Sequence, residues 1–272
     1  MPQTSLPAEV LLLCRALKLP TIGREAARLA EEVRRQGMGH LEYLVALLGE
    51  EIKEREERRS ARRIKEATFP LIKSLESFDF AKAPHLPESR IRELASGSYI
   101  ARAEPVLFLG EPGTGKTHLA TALGVAAARQ GRSVRFTTVG RLITELVESK
   151  DARQLGRIVG RYSRVDVLIL DEFGYYPLEK SDAELLFQVI GERQERRPII
   201  LTTNLPFGEW TTIFPDPRLC RAVVDRLTHR AHIIETGTES IRLKEALGHN
   251  RRATSTTTRK TTKETVESAG NP

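Results

Sequence analysis

Apolar and polar positions along this chain follow two different periods. Leu11, Leu12, Ala16 and Leu17 recur at helical spacing ahead of Pro20. Ile22, Ala26, Leu29, Ala30 and Val33 repeat near every 3.6 residues until Gly37 closes the segment. Leu41, Leu44, Val45 and Leu48 start a third helix near His40, which passes into a charged run from Glu50 to Glu66. Pro70 makes the next stretch irregular, and a short helix over Glu88–Ala95 leads to Gly97. Beyond it the pattern changes. Apolar runs at Val106–Leu109, Val134–Phe136, Val167–Leu170, Ile199–Leu201 and Ile233–Ile234 read as short buried strands. Helical stretches separate them: Lys116–Arg129, Arg141–Glu148, Asp151–Tyr162, Ala183–Arg196 and Arg218–Thr228. Buried strands without in/out alternation, separated by helices, predict a parallel sheet covered on both faces.

From His249 onward Thr, Ser, Lys and Arg dominate, and too few apolar side chains remain to offset chain entropy. The expected organisation is a small all-helical N-terminal domain over 1–66 and a linker with a connecting helix over 67–97. An α/β core over 98–247 and a disordered basic tail over 248–272 complete it.

Composition narrows the function classes. Hydrophobic residues are 40% and charged residues 29% of the 272, enough for a sizeable core. The two cysteines, Cys14 and Cys220, have no metal-ligand spacing, which argues against a zinc site or a disulfide framework and for a reduced, cytoplasmic protein. No apolar run approaches the roughly 18 residues of a membrane span. The formal charge of +7 suits a polyanionic partner, but it divides almost evenly, +2 over 1–100, +2 over 101–247 and +3 in the tail.

Candidate chemistry concentrates at three strand ends. Gly110-Glu111-Pro112-Gly113-Thr114-Gly115-Lys116-Thr117 is a complete GxxxxGK[ST] match, placed after one expected strand and opening one expected helix. Such a loop turns consecutive N–H groups toward phosphates. Lys116 reaches the β- and γ-phosphates of ATP, and the Thr117 hydroxyl serves Mg²⁺. His118, next in sequence, is placed to pack near the base or simply to start the helix. Val167-Leu168-Ile169-Leu170 runs into Asp171 and Glu172. An acid at the carboxyl tip of a parallel strand faces the ligand crevice, so Asp171 suits Mg²⁺ and Glu172 suits a base that orients the attacking water. Ile199-Ile200-Leu201-Thr202-Thr203 ends at Asn204, which can hydrogen-bond the γ-phosphate or that water.

This order of phosphate loop, Asp-Glu strand tip and Thr-Asn strand tip resembles the AAA+ ATPases over about 97–246. The resemblance implies a catalytic arginine supplied to a neighbouring subunit's nucleotide. Asp225-Arg226-Leu227 places Arg226 best, with Arg221 and Arg218 as alternatives. Family members carry a helical lid after the core; here it is expected to be reduced or absent, with Arg242 a possible remnant of its nucleotide-sensing arginine.

A core of this kind behind a helical domain looks like the helicase-loader branch, the DnaC/DnaI-type loaders and the IstB transposition helpers. Phe69-Pro70-Leu71-Ile72-Lys73-Ser74-Leu75-Glu76-Ser77-Phe78-Asp79-Phe80, Asp171-Glu172-Phe173-Gly174-Tyr175 and Glu239-Ser240-Ile241-Arg242-Leu243-Lys244 resemble the IstB pattern. The resemblance implies an ATP-hydrolysing, homo-oligomeric regulator that binds double-stranded DNA and assists a cognate transposase. A replicative helicase loader is the alternative. Candidate DNA contacts are Arg55, Arg59, Arg62 and Arg63, largely on one helical face, and Arg157 and Arg161 on a later helix. Glu51–Arg55 and Glu54–Arg58 are also i,i+4 pairs, so the first cluster equally suits a solvated mixed-charge helix.

Overall fold

The computed structural model describes residues 6–149 and 151–241, and the chain divides between Arg63 and Ile64 into two compact units. The expected basic tail and Arg242 lie outside the described residues.

The first unit holds α1 (Ala8–Ala16), α2 (Pro20–Gln36) and most of α3 (His40–Glu66). Pro20 opens α2, where its missing N–H costs nothing, and Gly37 ends it at φ 67°, the left-handed conformation that favours glycine. Glu51, buried on α3, accepts hydrogen bonds from the N–H groups of Thr21 (2.9 Å) and Ile22 (3.1 Å), so a long-range carboxylate serves as the cap of α2. Ala26, Leu29 and Leu47 form its small core.

The second unit is built on five parallel strands: β1 (Val106–Leu109), β2 (Val134–Thr138), β3 (Val167–Phe173), β4 (Ile199–Thr203) and β5 (His232–Glu235), in spatial order β2-β3-β4-β1-β5. Its helices are α4 (Glu88–Ala95), α5 (Ser98–Ala101), α6 (Lys116–Arg129), α7 (Val139–Val147), α8 (Ala152–Arg164), α9 (Lys180–Arg193) and α10 (Pro217–Thr228). Alternate residues of each strand serve opposite layers. Val106, Phe108, Ile169 and Ile200 meet α6 and α4, whereas Leu107, Leu168, Leu170 and Leu201 meet α7 to α10. Both faces are therefore apolar, which is why the strands read as unbroken hydrophobic runs.

Several element ends differ from the sequence pattern by a few residues, and two of these differences have a structural cause. Strand β3 continues through Asp171 and Glu172 to Phe173, because Asp171 still pairs with Thr138 of β2 and the register against β4 shifts between Leu170 and Phe173. Helix α9 starts at Lys180, one polar turn before its first buried residue, Ala183.

Residues 67–97 are integral to this layer structure. The Phe136 N–H donates to the Ala67 carbonyl (2.8 Å), and the Thr68 hydroxyl donates to the Phe136 carbonyl (3.1 Å). Leu75, Phe78, Leu86, Ile91 and Leu94 join the core beside α6. Phe69 covers Gly124 of α6 so closely that a Cβ there would stand 2.9 Å from its ring.

Arg193, at the end of α9, is fully buried among carbonyl groups. Its guanidinium donates to Tyr162 (2.6 Å), Val165 (2.9 Å) and Pro198 (2.8 Å), among others. It satisfies the carboxyl end of α8 and the entries to β3 and β4, the role of a capping cation turned inward. Burial is the main cause that lowers its pKa, to about 9.

Candidate functional site

The loop 110–115 joins β1 to α6 with glycines at φ 149° (Gly110), 86° (Gly113) and 97° (Gly115). Gly110 is required for a further reason: a Cβ would stand 2.4 Å from Thr236 Oγ1 and 2.7 Å from the Gly237 carbonyl. The chain after β5 therefore presses on the loop from behind. The Thr114 hydroxyl, buried, lies 2.6 Å from that of Thr236 and donates to the Glu111 carbonyl, and the Ile241 N–H donates to the Gly113 carbonyl (3.0 Å). Glu111 and Pro112 are exposed at the tip of the loop.

Lys116 begins α6. Its Nζ donates to the Gly110 (2.5 Å) and Glu111 (2.9 Å) carbonyls, so the ammonium lies along the inner side of the loop. Thr117 donates to the Asp171 carboxylate (3.0 Å to Oδ1, 3.2 Å to Oδ2), bringing together the two residues that the sequence separates by 54 positions. Asp171 is buried; Glu172 beside it is exposed. Glu172 holds φ 59°, a left-handed conformation costing about 1–2 kcal/mol for a residue with a Cβ. It occurs where the β3–β4 register shifts, and it turns consecutive acids of one strand to different environments.

Thr202 holds that arrangement together, and its role cannot be read from the motif pattern. Its hydroxyl donates to Asp171 Oδ1 (2.5 Å) and accepts from the Glu172 N–H (3.1 Å). The only sequence signal is its place two residues before Asn204 in a strand otherwise apolar. Asn204 itself follows β4, half-buried, and does not line the cavity described next.

A cavity of about 620 Å³ opens over these groups, lined by Lys116, Thr117, His118, Asp171 and Glu172 and by several residues of 70–79. His118 faces that segment: its Nε2 lies 3.2 Å from Ser77 Oγ and 3.1 Å from the Ser74 carbonyl, with its ring edge-on to Phe78 at 5.1 Å. The Phe78 ring would stand 2.7 Å from a Cβ on Gly115. A cavity with a glycine loop, a lysine, a hydroxyl–carboxylate pair and an adjacent free-standing acid has the donor set for a nucleoside triphosphate. Thr117 and Asp171 are hard oxygen donors fitting Mg²⁺, a cation that takes few protein ligands and completes its shell with phosphate and water. Among the described residues no cluster of three or more His, Cys, Asp or Glu forms a cage able to hold a metal without the nucleotide.

The three arginine candidates lie on α10. Arg218 and Arg221 are exposed, and the Arg221 Nε–H donates to the Pro217 carbonyl (3.4 Å). Arg226 lies half-buried with its guanidinium carbon 3.8 Å from the centre of the Phe187 ring, and it does not line the cavity that holds Lys116. It lines instead a separate cavity of about 360 Å³, together with Arg102, Arg197 and Arg230.

The basic clusters separate by occupation. Arg55 is committed to the α2 cap through Glu51 (2.7 Å) and the Lys18 carbonyl, and Arg161 pairs with Glu145 while lying over Tyr162. Arg59 and Arg157 are exposed, Arg62 is exposed and engaged in an interaction, and Arg63 is half-buried. No helix among the described residues is long and apolar enough to cross a membrane.

The family model described as IstB-like ATP binding protein matches residues 13–248. The ATP-binding protein of insertion sequence IS21 from Pseudomonas aeruginosa is 38% identical over 237 residues, covering 87% of this chain and 89% of its own length. That of insertion sequence IS5376 from Geobacillus stearothermophilus is 40% identical, covering 85% and 92%. Among solved structures, DnaI superposes with a TM-score of 0.51 at 20% identity, over 60% of this chain and 90% of DnaI. AMPPCP-bound DnaA from Aquifex aeolicus superposes with 0.52 at 20% identity, over 62% and 51%. These two likenesses establish the AAA+ fold.

Proposed function

Because this chain belongs to the IstB-like ATP-binding proteins of insertion sequences, we propose that it is an ATP-hydrolysing regulator of transposition that assembles on double-stranded DNA and recruits or activates its transposase. The observation that carries the hydrolytic part is the separation of Asp171, buried and bonded to Thr117 and Thr202, from Glu172, exposed at the cavity.

In this reading Lys116 exchanges the loop carbonyls it now holds for phosphate oxygens. Thr117 and Asp171 would hold Mg²⁺, which would supply compensation for the phosphate charge. Glu172 accepts a proton from the attacking water and orients its lone pair in line with the bond to the γ-phosphate. Its left-handed backbone, fixed through Thr202, keeps the carboxylate out of the Asp171 site. Asn204, which lies outside the cavity lining, reaches the γ-phosphate or that water only through a rearrangement on nucleotide binding. Arg226 completes the site of a neighbouring copy from outside, which makes turnover depend on assembly. DNA is held by arginines such as Arg59 and Arg157 repeated around the assembly, at low sequence specificity and with steep salt dependence.

The relatives that this chain matches over most of their length are insertion-sequence proteins, which favours the transposition role over helicase loading. Glu172→Gln tests the mechanism. It should bind ATP, stop hydrolysing it and persist as oligomers on duplex DNA, read by turnover and sizing. A variant that still turns over, or that stays monomeric with ATP and DNA, refutes it. Capture of a replicative helicase in place of the neighbouring transposase would favour the loader reading.

A further inference from the structure

The segment Phe69–Phe80 carries the family pattern yet supplies none of the residues assigned to hydrolysis. Its place in the fold gives it one. It forms part of the wall of the nucleotide cavity, through Pro70, Leu71, Lys73, Ser77, Phe78 and Asp79. Three contacts tie this wall to the loop and α6: Ser77 and Ser74 to His118, Phe78 against Gly115, and Phe78 edge-on to His118.

Within the wall one side chain stands out chemically. Lys73 lines the cavity, is half-buried, and makes no hydrogen bond or ion pair among the described residues. The other cation lining the cavity is Lys116, whereas Asp79, Asp171 and Glu172 contribute three carboxylates. A triphosphate entering this space brings more negative charge than Mg²⁺ and Lys116 together offset, before the three carboxylates are counted. A lysine on a flexible stem, uncommitted to any other group among the described residues, is suited to meet it.

We propose that Lys73 is a second phosphate-binding cation of the same protomer, supplied by the segment before the core, so that bound nucleotide further braces residues 70–79, which already pack on the phosphate loop. The inference rests on the assignment of this cavity to ATP. A charge-assisted contact of this kind corresponds to about a ten- to hundred-fold change in affinity.

The experiment is equilibrium binding to the full chain of a non-hydrolysable ATP analogue and of adenosine, for wild type, Lys73→Met, Lys73→Arg and Lys116→Ala. Lys73→Met should weaken the triphosphate about ten- to hundred-fold and leave adenosine unchanged, with Lys73→Arg recovering most of the loss. A structural role for Lys73 would weaken both ligands alike, and that result, or unchanged triphosphate affinity, overturns the proposal. If Lys116→Ala also binds the triphosphate normally, the cavity assignment itself fails; if it does not, only the role of Lys73 is lost. Hydrogen exchange supplies a second readout. The triphosphate should protect the amides of 70–79 in wild type and fail to do so in Lys73→Met at saturating ligand.

Discussion

Replacing Thr202 by valine preserves shape and removes one oxygen. That oxygen donates to Asp171 Oδ1 at 2.5 Å and accepts from the Glu172 N–H at 3.1 Å, inside a strand where Thr202 is 2% exposed. Losing a hydrogen bond to a carboxylate costs about 1.5–3 kcal/mol. Leaving the Glu172 N–H without its acceptor adds about 1–3 kcal/mol, reduced to the extent that water reaches this partly buried group. The two effects share one atom and do not add in full, so about 2–3 kcal/mol is the expected total. For a unit of this size each kcal/mol moves the melting temperature by about 2–4 °C, so Thr202→Val should melt about 4–12 °C lower. The larger consequence is catalytic. Asp171 loses one of its two hydroxyl partners, and the left-handed Glu172 backbone loses its anchor. Outer-shell changes of this kind cost about 10- to 100-fold in activity or metal affinity. Steady-state ATPase measurements at saturating Mg²⁺ should therefore show that loss in kcat, with nucleotide affinity within a few fold, and Thr202→Ser should recover it. A Thr202→Val variant that melts lower yet hydrolyses ATP at the wild-type rate would refute the assignment and leave Thr202 a core residue only.

Arg226→Ala should leave nucleotide binding intact and reduce turnover of the assembled protein by about 10³-fold, the scale of trans-acting arginines; unchanged turnover under assembling conditions would move the role to Arg221 or Arg218. Acid should weaken the N-terminal unit. Hydrogen bonds from Arg24, Arg58 and Thr21 pull the Glu54 pKa down to about 2, and at Glu51 burial pushes upward but bonds from Arg55, Ile22 and Thr21 prevail and hold it below the ordinary range. Carboxylates with depressed folded-state pKa values contribute stability above their unfolded value near 4.3 and lose it as pH falls toward about 2. Amide signals of 20–36 followed by NMR through that window should lose dispersion, and the Glu51→Gln/Glu54→Gln double variant should flatten the transition; an unchanged midpoint and slope would exclude these groups as its cause.

Much of this protein is set by local chemistry and was legible without coordinates. Unbroken apolar runs such as Val106–Leu109, alternating with helical stretches, specify strands buried on both faces, since helices packed on each side of a parallel sheet hide every residue of such a run. The phosphate loop is legible because glycine at Gly113 and Gly115 answers a backbone requirement, φ near 90°, that holds in any surroundings. The proximity of Lys116, Thr117 and Asp171 follows from strand order in a parallel sheet, whose carboxyl ends share one edge. Tertiary structure decided what depends on partners distant in sequence. Arg55 reads equally as a phosphate contact or as the i,i+4 partner of Glu51, and the structure shows it paired with Glu51 and also bonded to the Lys18 carbonyl. Thr202 reads as a strand residue until the register shift of β3 places Glu172 beside its hydroxyl. Residues 67–97 read as an irregular linker that Phe69, Phe78 and Phe80 anchor on the core, and they do; Pro70 and the mixed composition hide which neighbours the linker meets, α6 and the cavity. Periodicity reports how a segment repeats against one surface; an irregular segment whose anchors each meet a different neighbour has no period to report, and only the packed structure names those neighbours.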